Sequence, residues 1–190
     1  MTPILGTIAS TISGNLAFPS MEYIATYEVP STTVSQIDFN GISQEYTHLH
    51  IRGVARNSHP VYNDGGLYWQ QNGVGQGQYH NYYILPTGSP SLSSGGAGGA
   101  GTPFGVVPTA TVQAGYYAQW VLDMFDYKNT NKNKTVIFRS GYAGGSGVNA
   151  FAMGSASFAN NTNATTSMRF YSLTSNFTQY TKFTLYGIKG

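Results

Sequence analysis

Short runs in which β-branched and aromatic residues alternate with polar ones, each closed by Gly, Pro, Asn or Asp, recur along this chain. Successive side chains of an extended backbone point to opposite faces, so each run dries one side of a sheet and wets the other. Ten such runs predict strands at 21–29, 33–40, 47–55, 66–71, 78–85, 117–127, 134–142, 149–158, 166–173 and 180–188. No long stretch repeats apolar residues at helical spacing. The expected architecture is therefore all-β: a jelly-roll-like antiparallel β-sandwich of about 8–10 strands. In "YAQWVLDMFDY", residues 117–127, both faces are partly apolar, with Ala118, Trp120, Leu122 and Met124 on one and Tyr117, Val121 and Phe125 on the other. That strand is expected at the centre of a sheet.

A length of 190 residues suits one domain with a sizeable core. The predicted organisation is an N-terminal arm at 1–20 followed by a single sandwich domain at 21–190. Ile4, Leu5, Ile8 and Ile12 give the arm apolar points for packing on a neighbouring subunit. The arm lacks a basic start and has glycines at 6 and 14, a poor match to a signal peptide. No segment has the length of a membrane-spanning helix, and no membrane partner is expected. "PTGSPSLSSGGAGGAGTP", residues 86–103, is too poor in apolar groups to order as a core element and is expected as a Gly/Ser-rich surface loop.

Charged residues make up 8% of the chain, against about 25% in an ordinary globular domain. Amides, hydroxyls, glycines and the 15 tyrosines must coat the surface instead. Such a coat repels its neighbours little and suits packing against other subunits. The net charge of +2 and the scattered basic residues give no nucleic-acid footprint. With no cysteine, disulfides and thiolate metal sites are excluded.

"SQEYTHLHIRGVAR", residues 43–56, places His48 and His50 on one face of a strand, a spacing that can grip a metal ion. A cupin-like enzyme centre needs a carboxylate and a further histidine as well. No carboxylate follows, and Arg52 continues the same face with a permanent positive charge. The expectation is a polar strand face without metal or other cofactor. "GAGGAG" at 96–101 is followed by Pro103 and Pro108, which forbid the helix of a dinucleotide site. "GGSG" at 144–147 is followed by Val148, not the glycine of a nucleophile elbow. Asp123 and Asp126 lie three apart on a predicted strand, hence on opposite faces, and no catalytic pair of carboxylates is evident. The expectation is that the protein is not an enzyme.

Two stretches are candidates for binding. Lys128, Lys132 and Lys134 in "KNTNKNK" would sit on a hairpin tip where they could meet an acidic partner, although solvated loop charge is the commoner role. Residues 67–85 interleave Tyr68, Trp69, Tyr79, Tyr82 and Tyr83 with amides, the mixture that stacks on sugar rings. Core filling competes with that reading.

"YIATYEVPSTTVSQIDFNGISQEYTHLHIRGVAR" at 23–56, "VLDMFDYKNTNKNKTVIFRSG" at 121–141 and "NFTQYTKFTLYGIKG" at 176–190 together resemble a family of small tailed-bacteriophage virion proteins of tail, fibre or head-decoration type. The resemblance implies a virion location, assembly in the host cytoplasm and no active site. It points to a capsid decoration or cement protein, a symmetric homo-oligomer such as a trimer, with the major capsid protein or other virion proteins as partners. A tail or fibre-tip module binding host-surface glycan is the alternative.

Overall fold

In a computed structural model of the chain, the described residues are 21–61, 64–74, 79–86, 92–94, 102–145, 149–158, 162–173 and 175–189. The arm residues Ile4, Leu5, Ile8 and Ile12 lie outside them. Twelve strands run through the described residues: β1 (Met21–Glu28), β2 (Gln36–Asn40), β3 (His48–Ala55), β4 (Asp64–Gln71), β5 (Tyr79–Pro86), β6 (Leu92–Ser94), β7 (Thr102–Pro108), β8 (Ala118–Met124), β9 (Thr135–Ala143), β10 (Asn149–Phe158), β11 (Ser167–Tyr171) and β12 (Lys182–Ile188). They form an all-β sandwich of two antiparallel sheets. The larger has the order β1-β12-β3-β8-β9-β10-β5-β6, the smaller β2-β11-β4-β7.

The chain crosses between sheets at almost every step: β1 to β4 alternate, and so do β7 with β8 and β11 with β12. Three steps stay within the larger sheet, β5 to β6, β8 to β9 and β9 to β10, and the pairs β5-β6 and β9-β10 widen it. Ten strands fall where the alternation predicts them. The stretch 86–103 differs from its expected loop, because β6 lies within it and β7 begins there. Backbone pairing to β5 and β4 supplies what its small side chains do not.

The core is the aromatic seam between the sheets. Phe170 of the smaller sheet packs on Trp120 and Phe183 of the larger, with ring centroids 5.7 and 5.3 Å apart. Trp120 and Phe183 meet edge to face at 4.4 Å. Strand β8 alternates as expected, with Ala118, Trp120, Leu122 and Met124 all buried. Trp69 also turns inward, opposite Phe170 in the register, and is 0% exposed. A sugar cannot reach its ring, so Trp69 is a core residue rather than part of a glycan platform.

Two cations are buried with the core. Arg56, 8% exposed, donates from Nη1 to the carbonyls of Gln113 and Tyr116 at 3.0 and 3.1 Å, and from Nη2 to that of Val112 at 2.6 Å. Lys134 is 1% exposed. Its ammonium donates to the carbonyls of Asn129, Lys132 (3.1 Å) and Thr162 (2.9 Å), using all three protons. Burial pulls its pKa down, and the neighbouring Lys132 charge adds to that. Lys134 therefore ties its own loop to the segment before β11, and the partner contact expected of it is unavailable.

Candidate functional site

The outer face of the larger sheet is built by the second half of each strand's alternation. Antiparallel register aligns residues from distant parts of the sequence into rows across the strands. One row runs Thr184, Arg52, Val121, Arg139, Met153 over β12, β3, β8, β9 and β10. The next holds Tyr186, His50, Asp123, Ile137 and Ser155. On the other side lie Lys182, Val54, Gln119, Gly141 and Phe151.

These rows frame a groove of about 750 Å³. Gly141 lies in its floor, and the missing side chain makes room for the Phe151 ring. A Cβ there would come 3.2 Å from both Phe151 Cδ2 and the Ala150 carbonyl oxygen. Phe151 is 43% exposed.

Three cations line the groove. Lys182 is paired with Glu28 at 3.2 Å. Arg52 lays its guanidinium carbon 4.8 Å from the centre of the Tyr186 ring and donates to the Tyr186 hydroxyl at 3.0 Å, so its orientation is fixed while no carboxylate among the described residues pairs with it. Arg139 has no hydrogen-bond or ion-pair partner among the described residues. Adjacent strands are about 4.8 Å apart, which puts the two arginine backbones roughly 10 Å apart with Val121 between them.

His50 Nδ1 lies 2.5 Å from Asp123 Oδ1. The Nδ1–H donates to the carboxylate, which fixes the ring's orientation. Asp123 is diagonal to both arginines in the register, about 7–8 Å away. His48 shares the face, as the alternation predicts, but its Nδ1 accepts the Asp126 backbone N–H at 2.9 Å. The same Nδ1 lies 3.6 Å from the Asp126 carboxylate. Each imidazole is committed to a different aspartate, and no cluster of three metal-ligating side chains occurs among the described residues. Asp126 lies past the end of β8 with φ 50°, so the strand rule that sends it and Asp123 to opposite faces does not apply to it.

The other candidates are spread over the molecule. Lys128 and Lys132 are exposed as expected; Lys132 pairs with Asp126 and holds its carboxyl below the usual range, while Lys128 donates to the Gln44 carbonyl at 3.3 Å. Tyr68 is half-buried against Tyr171, centroids 5.7 Å apart. Tyr79, Tyr82 and Tyr83 lie on β5, with side chains outside the described residues. The aromatic stretch thus forms no common platform with Trp69. The groove was missed because Arg52, Arg139 and Lys182 are far apart in sequence and only the register gathers them. No protein-family model and no curated protein matches this chain.

Proposed function

We propose that this is a non-catalytic bacteriophage virion structural protein, a capsid decoration or cement protein built on a jelly-roll frame and acting as a symmetric homo-oligomer. The alternation of β1-β12-β3-β8 against β2-β11-β4-β7 supports the jelly-roll frame, with β5-β6 and β9-β10 inserted. The observation that carries the structural role is strand β1. It ends the larger sheet, pairs with β12 on one side only among the described residues, and exposes Met21, Tyr23 (63%) and Tyr27. An edge with apolar side chains and unspent backbone groups is a template for another chain. The apolar arm precedes it directly, so arm and edge together offer one continuous contact to a capsid neighbour. Many copies of such a contact would reinforce a shell that each contact alone holds weakly.

The test is binding of the full chain to empty capsids, compared with a chain lacking residues 1–20 and with the double variant Tyr23→Asp/Tyr27→Asp. Capsid binding lost in both, and particles that burst sooner without the protein, are expected. Full capsid binding by both variants would overturn the edge-docking role.

A further inference from the structure

We propose that the outer-face groove is a binding site for carboxylate-bearing saccharides, with Arg139 and Arg52 taking the acid groups and Phe151 the sugar ring. The groove is lined from β12, β3, β8, β9 and β10, one strand in from the β1 edge, and the edge residues Met21, Tyr23 and Tyr27 are not among its lining.

The first reason is charge. The chain has nine Lys and Arg in all, and three of them line this one groove. Of the six elsewhere, Arg56, Lys134 and the exposed Lys128 donate to carbonyls, and Arg169 pairs with Asp38 at 2.7 Å, Lys132 with Asp126 and Lys189 with Glu22 at 2.6 Å. Arg139 and Arg52 are the exposed guanidiniums left without an acid among the described residues, and they stand on one row. A guanidinium fork matches a carboxylate in two parallel hydrogen bonds, and the spacing of roughly 10 Å lets one short acidic chain meet both.

The second reason is the kind of surface. Phe151 lays its ring against Gly141 and keeps 43% exposure, a surface on which a sugar face can stack. His50 Nε2, Gln119 and Thr184 supply the mixed donors and acceptors that hydroxyls need. An acidic peptide fits less well. On the face of a sheet the backbone groups are already spent in the ladders, so a peptide main chain finds no partners there. A groove near 750 Å³ also lies within the range of small-ligand sites.

The test is calorimetric titration of the full chain with a galacturonate trimer, its fully methyl-esterified form, a mannuronate trimer and sialyllactose. At least one acidic sugar is expected to bind saturably, more weakly as salt is raised. For the galacturonate pair, the ester should bind at least tenfold more weakly, since it keeps the sugar and loses the charge. Arg139→Gln and Phe151→Ser should each cost about tenfold or more in affinity while capsid binding persists, Arg139→Gln at an unchanged melting temperature. Saturable binding by none of the acidic sugars would overturn the inference. So would equal affinity for the ester, undiminished affinity in Arg139→Gln, or displacement by acetate at the concentration of the sugar itself, which marks a bare anion site. Loss of capsid binding with sugar binding intact would instead count against the structural role alone.

Discussion

Two pairs of cations show how this chain divides architecture from recognition. Arg56 and Lys134 are buried, and each donates to three backbone carbonyls. Arg52 and Arg139 lie on an exposed face; the first touches only a tyrosine and the second nothing among the described residues. A buried ammonium or guanidinium must be saturated because desolvation is costly, and here carbonyls do it in place of carboxylates. Such a cation holds loops together and has no capacity left for a ligand. A charge on an open sheet face costs little to leave unpaired, and that is where capacity remains.

The contrast is broken most severely by removing the buried pair. Arg56→Met and Lys134→Met each strand three carbonyls, so each is expected to lose about 3 kcal/mol, at about 1 kcal/mol per hydrogen bond lost. For a domain of this size that lowers the melting temperature by about 6–12 °C by calorimetry. Arg52→Gln removes the cation–π contact and the Tyr186 hydrogen bond, and about 0.5–1 kcal/mol is expected in urea denaturation. Arg139→Gln is expected within about 0.5 kcal/mol of the parent, the usual range for an exposed residue without partners.

Asp126 gives the smallest effect, and its sign is fixed. The Lys132 hydrogen bond lowers its pKa, so its stabilisation is present above the ordinary aspartate range and is lost as pH falls through the lowered value. Wild-type and Asp126→Asn urea midpoints should differ slightly at neutral pH and converge in acid. A gap that widened in acid would contradict the Lys132 pairing.

Local alternation made ten strands legible because burial in a sheet follows the pleat, as β8 and β9 display. The strands β6 and β7 were not, since backbone pairing rather than side-chain pattern places Leu92–Ser94 and Thr102–Pro108. Alternation also cannot say which face turns inward. Trp69 and Tyr68 are equivalent as pattern, and the pairing of β4 with β11 sets Trp69 against the core. Lys134 reads as a solvated tip charge because one of its three carbonyls, that of Thr162, comes from a segment 28 residues away. The His50 contact with Asp123 spans 73 residues, and the row of Arg52 and Arg139 joins strands β3 and β9 across β8. Composition announced an uncharged coat; register alone concentrates the few charges.

The most direct test of this division of labour is one thermal-denaturation series: wild type and the four cation variants, each melted with and without an acidic sugar found to bind in the titration. A ligand that binds only the folded state raises the melting temperature, by more the further its concentration exceeds Kd. Arg56→Met and Lys134→Met are expected to melt early yet keep the upward shift, while Arg139→Gln melts like wild type and loses it. An Arg139 variant that unfolds early but still shifts with the sugar, or an Arg56 variant that melts normally and no longer responds, would contradict the assignment.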